Sequence, residues 1–291
     1  VIPGASPELV NLAMRYATRV SVNIELPTEE SLIQIAPDKS ADAILSPMKT
    51  ICRRLSELEE SNRSKKNLQK TRISNRLAEM SAGQTTQLIV GASPESDATI
   101  LSLAQHLYRN FNVRRVYYSA FRPEGTDPSL PRLSSPPFER EYRLYQADML
   151  FRWYGFEPAE LFEAQDFLDE DLDPKTSWAL RHLEFFPVEL MTSGYEELLR
   201  IPGIGPKTAY KILRMRKNGG LEFSSLKKLR IPTQKIFCFI TIKGKRSSEE
   251  LHGFRRSFEG QALENPETLR EILRERKPPS PPAQQEFDFL S

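Results

Sequence analysis

Cysteine is scarce in this sequence, and long apolar runs are missing altogether. The 291 residues include only two cysteines, Cys52 and Cys238, which lie far apart. Two distant cysteines exclude a disulfide framework and fit a reducing compartment, so we expect a cytoplasmic protein. No stretch of about 18 apolar residues occurs and no signal peptide opens the chain, so neither a membrane-spanning helix nor a membrane partner is expected.

Familiar catalytic and metal-binding patterns are also missing. The three histidines, His106, His182 and His252, are scattered without the spacing of metal ligands. Neither a Walker-type phosphate loop nor a Ser–His–Asp signature is present. Local motifs therefore leave the catalytic residues unknown, and they predict no metal site.

Basic residues are absent from the acidic stretch Glu157–Asp173, which carries eight acidic side chains. Residues 195–232 instead carry nine bases and three acids, a local excess of six positive charges in a chain whose net charge is only +2. A basic segment within a near-neutral protein predicts a surface for a polyanion. The acidic stretch is either a solvated face or a region that repels DNA.

The first 125 residues alternate short β-rich runs with amphipathic helical patterns. The predicted strands are Ser21–Leu26, Gln87–Ala92 and Arg115–Phe121, and the predicted helices are Pro7–Tyr16, Pro47 to about Asn62, and Ser96–Phe111. This alternation is typical of βαβ units around a parallel sheet, so the predicted fold class is α/β.

Residues Tyr195–Arg214 are predicted to form a helix, a tight turn and a second helix. Gly203 and Gly205 are expected to permit positive φ and to let a phosphate approach the backbone, while Ile204 anchors the turn in the core. Pro206 suits the first position of the second helix, whose N-terminal amides then form an anion site.

Cations and a hydroxyl follow the turn. The predicted DNA-binding residues are Gly203, Ile204, Gly205, Lys207, Thr208 and Lys211. Contacts of this kind reach phosphates, so they position DNA without reading its sequence. The alternative is an ordinary helical hairpin with a Pro-Gly turn. A degenerate second copy, Phe223–Ile236, lacks the glycines and is interpreted as the packing partner of the first.

Several segments together resemble the DNA modification/repair radical SAM proteins, which are often linked to a uracil-DNA glycosylase-like protein. The segments are Ile2–Pro7, Ser21–Pro27, Ala36–Lys39, Ile89–Ala92 with Asp97, Arg115–Phe121, Tyr142–Asp148 and the hairpin. The resemblance covers nearly everything from residue 1 to about 240. It implies a partial radical SAM (β/α) barrel followed by an all-α helix-hairpin-helix domain.

The sequence also predicts domain boundaries. They are 1–135 for the partial barrel, 136–187 for a helical connector, 188–245 for the helix-hairpin-helix DNA-binding domain, and 246–291 for a C-terminal helix and flexible tail.

In that family, three cysteines of a CxxxCxxC-like motif hold a 4Fe–4S cluster whose free iron binds S-adenosylmethionine. This sequence has no such motif, so we expect no cofactor in the chain as given. Because it opens at Val1 rather than Met, we expect a fragment or a split gene, with a separate N-terminal radical SAM portion as partner. The resemblance implies that Asn23, Glu25 and Ser119, at strand ends, contact the cofactor.

The final residues suggest another partner. Gln284–Leu290 follows a Pro-rich stretch and resembles the peptides that dock on bacterial sliding clamps, with two aromatics at alternate positions. A core-docking or disordered terminus is the alternative.

Two functions remain open at this point. One is a DNA-binding radical SAM-type protein of DNA repair or nucleic-acid modification, whose cluster-binding part is missing here. The other is a non-catalytic DNA-binding adaptor that uses the hairpin and the clamp-binding-like peptide.

Overall fold

The structure is a computed structural model of the chain. It describes residues 1–66, 82–123, 130–163, 165–217, 219–228, 236–246 and 265–274. Contacts divide the chain into unit 1, Val1–Leu144, and unit 2, Tyr145–Ser291.

Unit 1 is built on a parallel sheet. Its elements are α1 (Pro7–Tyr16), β1 (Arg19–Ser21), α2 (Glu29–Ile35), α3 (Ala41–Lys66), β2 (Gly83–Val90), α4 (Asp97–Asn110), β3 (Val113–Ala120) and α5 (Phe138–Trp153), which ends in unit 2. The sheet order is β1-β2-β3, with Ser21 opposite Thr85 and Ile89 opposite Ser119. The α/β prediction is confirmed. Within the described ranges the sheet is open, and no closed barrel forms.

One face of this sheet is buried under helices, as the apolar pattern predicts. Leu88 and Val116 have no exposed surface, and α4 buries its stripe of Ile100, Leu101 and Ala104. Ser96 caps α4 by accepting a hydrogen bond from the Thr99 amide at 3.2 Å. The predicted helix over Ser96–Phe111 is therefore confirmed to within one residue at each end.

The helix predicted to begin at Pro47 begins six residues earlier. Proline suits a helix start because it has no amide hydrogen, and inside a helix it leaves a carbonyl without its donor. Here the Ala43 carbonyl, which receives no hydrogen bond from Pro47, accepts one from the Gly4 amide at 2.9 Å. A donor distant in sequence thus lets α3 continue through Pro47.

In the ranges that the structure describes, unit 2 contains short helices and one strand pair. Its elements are α6 (Pro158–Leu161), α7 (Pro174–Arg181), β4 (Val188–Glu189), α8 (Tyr195–Arg200), α9 (Pro206–Lys217), α10 (Phe223–Lys228), β5 (Ile240–Thr241) and α11 (Pro266–Leu273). The prediction of an all-α domain is wrong in one respect, because β4 and β5 pair in parallel. Two-residue strands are too short to show a period in sequence; burial of Val188 and Ile240 fixes them.

An aromatic cluster forms the centre of unit 2. The Trp178 ring meets the Phe156 ring edge-on at 5.3 Å and lies 4.6 Å from the His182 ring. The Arg200 guanidinium lies 4.0 Å from the centre of the Phe156 ring and donates a hydrogen bond to Glu160 at 2.7 Å. Arg200 therefore secures α8 to this core through packing and charge together.

The acidic stretch is neither a plain solvated face nor a bare negative surface. Asp169 binds Arg270 of α11, and Asp171 binds Arg274 at 3.0 Å. Asp173 caps α7 by accepting from the Thr176 amide at 3.0 Å. Burial favours the neutral carboxyl of Asp169, but hydrogen bonds from Arg270 and two backbone amides outweigh it and lower its pKa.

Two predictions fall partly or wholly outside the described residues. Of the second hairpin, α10 covers Phe223–Lys228, but residues 229–235 lie outside. The peptide Gln284–Leu290 lies outside entirely. Among the described helices, none has both the length and the apolar character that crossing a membrane requires.

Candidate nucleic-acid interface

The hairpin forms as predicted. Helix α8 ends at Arg200, the turn occupies 201–205, and α9 begins at Pro206. The Ile204 amide donates to the Ile201 carbonyl at 3.1 Å, which closes the turn. The amide hydrogen of the first helical residue has no acceptor within the helix. Pro206, which lacks that hydrogen, therefore starts α9 without losing a helical hydrogen bond.

A continuous apolar side holds the two helices together. Its buried side chains are Leu198, Leu199, Ile201, Ile204, Ala209 and Ile212. Ile204 is 1% exposed, so the prediction that it anchors the turn is confirmed. Its side chain is consequently not available to DNA, and only its backbone can take part in an interface.

The two glycines of the turn are required for different reasons. Gly203 is exposed and has φ = +81°, which side chains larger than hydrogen disfavour. Gly205 does not have positive φ, so that part of its predicted role is wrong. An added Cβ there would lie 2.9 Å from the Tyr154 hydroxyl oxygen, and this close approach explains the glycine.

A buried lysine supports the turn from behind. Lys175 Nζ donates to the Ile204 carbonyl at 2.6 Å and lies 4.7 Å from the centre of the Tyr154 ring. Its side chain is 6% exposed. Burial lowers the pKa of Lys175 to about 7; the nearby Asp173 opposes the shift and Arg200 adds to it.

The N-terminus of α9 presents backbone donors to solvent. The helical ladder opens with the Ala209 amide donating to the Gly205 carbonyl at 2.9 Å. The amides of Lys207 and Thr208 precede this ladder, as the first amides of every helix do. Together with the helix dipole they favour an anion at this end. The Lys207 side chain is exposed beside them.

Three cations lie along one exposed side of α9. Lys207, Lys211 and Arg214 are exposed and occupy positions i, i+4 and i+7. We call these three residues the basic face. Arg216, which the charge pattern alone would include, instead donates to the Leu190 and Ser193 carbonyls at 3.3 and 2.5 Å. The local charge excess in the sequence thus overstates the positive charge that α9 presents to solvent.

The residues predicted to contact a cofactor lie in unit 1. Ser119 is half-buried near the carboxyl end of β3. Asn23 Oδ1 accepts from Ser21 Oγ at 2.9 Å, and the Glu25 carboxylate is bound by Lys39. Glu25 bridges to Leu88 of β2 with φ = 68°. Asn23 and Glu25 therefore follow β1 and Ser119 lies near the end of β3, and these two strands flank β2 without pairing with each other. In barrels, ligands bind at such carboxyl ends of strands.

The cysteines do not fit an iron–sulfur cluster of the three-cysteine type. Cys52 lies in unit 1 and donates to the Asn110 carbonyl at 3.8 Å. Cys238 lies in unit 2, where burial raises the pKa of its thiol to about 11 and so opposes the thiolate that iron requires. The 291 residues contain no third cysteine.

Comparison with known families supports the hairpin assignment. Residues 189–214 match the family described as helix-hairpin-helix motif. The matched span runs from the end of β4 to Arg214 of α9, and thus covers the whole turn and all three residues of the basic face. No curated protein and no solved structure matches the chain. The site therefore defines a helix-hairpin-helix element, which suggests nucleic-acid binding.

The sequence did not indicate Lys175 or Tyr154 as part of this region. The adjacent aromatic residues Trp153 and Tyr154, followed by Gly155, can be read from the sequence. The sequence does not show that they lie beside the turn. Lys175 stands in no recognisable motif. Its burial against a carbonyl 29 positions away only becomes visible in the tertiary structure.

Proposed function

We propose that unit 2 binds the phosphate backbone of DNA through the hairpin, with little preference for sequence. The observation that carries the proposal is the arrangement of exposed Gly203, the N-terminus of α9 and the basic face on one element. Backbone amides and lysines recognise phosphates, which are the same in every sequence.

The test compares DNA affinity in matched glycine variants. Fluorescence anisotropy is measured with two labelled duplexes of equal length and unrelated sequence. The Gly203→Leu/Gly205→Leu variant is expected to lose binding, because both substitutions displace the turn. Gly219→Leu is the control: Gly219 has φ = +70° with open space around it and lies beyond α9. It carries similar backbone strain, and its affinity is expected to stay near that of the wild type.

Circular dichroism and thermal melting establish that each variant is folded. Unchanged affinity in a folded double variant contradicts the proposal. A difference of more than about tenfold between the two duplexes contradicts the absence of sequence preference.

A finer proposal concerns unit 1 as part of a radical SAM-type barrel. It is supported by three adjacent parallel strands separated by helices and by the position of Asn23, Glu25 and Ser119 at strand ends. Since the cysteines do not fit a cluster, this function requires a polypeptide portion that supplies one. Reconstituted, cluster-loaded protein that neither binds nor cleaves S-adenosylmethionine contradicts it.

The alternative is a non-catalytic adaptor. It is supported by the hairpin and by the sequence of Gln284–Leu290, and it requires no cofactor. A peptide of these residues is expected to retain a bacterial sliding clamp in a pulldown. A peptide with Phe287 and Phe289 replaced by Ala serves as the control, and equal retention by both argues against the adaptor.

A further inference from the structure

An open cavity adjoins the turn of the hairpin in unit 2. It has a volume of about 640 Å³ and is lined by Met149, Trp153 and Tyr154 of the α5 end and by residues 205–208 of the hairpin. This volume falls within the range of about 300–1,000 Å³ typical of small-ligand sites. Pro206, Lys207 and Thr208 therefore border both the cavity and the anion site of α9.

The wall formed by α5 is apolar and exposed. Trp153 is 50% exposed and Met149 is 38% exposed. Their spacing of four residues places them on the same side of α5. Neighbouring exposed apolar side chains rimmed by polar residues are a feature of ligand-binding grooves.

Charge at the cavity is arranged for an aromatic, anionic ligand. The Arg152 guanidinium lies 5.2 Å from the centre of the Trp153 ring and is oriented by Asp148 at 3.4 Å. Lys207, which also lines the cavity, is exposed. An aromatic ring flanked by cations is the combination that proteins use to stack bases of single-stranded nucleic acid.

We propose that this cavity binds an unpaired nucleobase, stacked on Trp153, from the strand whose phosphate occupies the N-terminus of α9. The inference rests on the proposed DNA binding and specifies its substrate as single-stranded or locally unpaired DNA. A base within an intact duplex is stacked between its neighbours and cannot enter the cavity. Single strands therefore gain a contact that duplexes lack.

The first test measures affinity for a 12-nucleotide oligothymidylate and for a 12-base-pair duplex. Trp153→Ala is expected to weaken single-strand binding about 5- to 150-fold, the range given by the loss of one stacked base. Duplex affinity is expected to change less than twofold. Phe167→Ala is the matched control, because Phe167 is also 50% exposed in unit 2 but does not line the cavity. It is expected to leave both affinities unchanged.

The second test uses tryptophan fluorescence, which reports stacking directly. The only other tryptophan, Trp178, is 6% exposed. Oligothymidylate is expected to quench the exposed component of emission in the wild type and to have no such effect in Trp153→Phe. Because phenylalanine still stacks, Trp153→Phe is expected to retain single-strand affinity within about threefold.

Several outcomes overturn the inference. They are unchanged single-strand affinity in folded Trp153→Ala, equal losses for single strand and duplex, or a change of oligomeric state without a change in single-strand affinity. If the glycine double variant loses binding while Trp153→Ala does not, the hairpin function holds and the base site fails. If the glycine double variant keeps full affinity for both DNAs, the hairpin function itself fails.

Discussion

At the scale of single residues, Gly203 and Gly205 show why identical residues in a motif need separate explanations. The first allows a left-handed backbone conformation, and the second leaves room for the Tyr154 hydroxyl. The motif records both as glycine, but only the second depends on a side chain that is distant in sequence. The two therefore respond differently to changes at Tyr154.

A double-mutant cycle separates the two roles. Gly205→Ala is expected to destabilise the protein by about 1–3 kcal/mol, since the new Cβ crowds the hydroxyl. In a Tyr154→Phe background that cost is expected to fall, because the crowding atom is gone. Gly203→Ala is expected to cost about 1–2 kcal/mol in both backgrounds, as its strain is local. Free energies of unfolding from urea titration provide the measurement, and equal costs of Gly205→Ala in both backgrounds contradict the account.

Lys175 is the second residue whose role depends on its surroundings. Its pKa is about 7 in the folded protein, against an ordinary value of 10.5. The unfolded chain therefore binds more protons between these two values, so the free energy of unfolding rises with pH across that window. The rise cannot exceed about 1.4 kcal/mol per pH unit.

Replacing Lys175 with Met is expected to abolish this component of the rise. It is also expected to lower stability near pH 9 by about 1–3 kcal/mol, because the Ile204 carbonyl loses its donor. Urea titrations at pH 7, 8 and 9 measure both effects. Lys207→Met, at an exposed lysine of the same hairpin, is expected to keep the wild-type slope. If the free energy of unfolding of Lys175→Met rises with pH as steeply as that of the wild type, a group other than Lys175 is responsible for the rise.

At the scale of elements, the cationic side chains of α9 have two different roles: some face solvent and one binds backbone carbonyls of the protein. The basic face points to solvent, whereas Arg216 binds the Leu190 and Ser193 carbonyls. Helical periodicity explains this division, since position 216 lies off the side that carries 207, 211 and 214.

This division predicts how each cation affects the salt dependence of DNA binding. Lys211→Gln is expected to reduce the slope of log affinity against log salt by about one, the effect of one lost phosphate contact on duplex DNA. Arg216→Gln is expected to leave the slope unchanged and to lower the melting temperature instead. Anisotropy titrations between 50 and about 200 mM salt provide the slopes. A reduced slope in Arg216→Gln places that residue on the DNA-binding surface.

At the scale of the whole molecule, the net charge is only +2, but the charged residues are distributed unevenly along the chain. Within unit 2 the acidic stretch is joined to arginines of α11 and α8, while the basic face keeps its charge for solvent. The paired acids Glu160, Asp169 and Asp171 therefore contribute to the stability of the fold.

Arg270 allows a test of this internal pairing. The pKa of Asp169 is lowered in the folded protein, so the pair contributes stability at neutral pH that is lost as pH falls through the folded pKa. Arg270→Gln is expected to cost about 1 kcal/mol at pH 7, a modest value because Arg270 is 41% exposed. The difference from wild type is expected to shrink below about pH 4.

Denaturant titrations at pH 7 and pH 3.5 measure this difference. Arg274→Gln is the control, since Arg274 is 64% exposed and its loss is expected to cost less than about 0.5 kcal/mol. A constant difference between wild type and Arg270→Gln at both pH values shows that the ion pair is not its source.

The sequence by itself determined the parts of the protein whose causes are local. Turn chemistry located the hairpin and the start of α9 at Pro206, and the sequence pattern located α4, β2 and β3. The predicted first strand, Ser21–Leu26, shares only Ser21 with β1. Only the tertiary structure decided the rest, because the partners are distant in the chain. The Gly4 amide allows α3 to continue through Pro47. Lys175 and Tyr154 support the turn of the hairpin. Arg200 and Arg216 bind groups within the protein and so do not add to the basic face. A sequence shows which charges exist, but burial and long-range hydrogen bonds decide which of them face solvent.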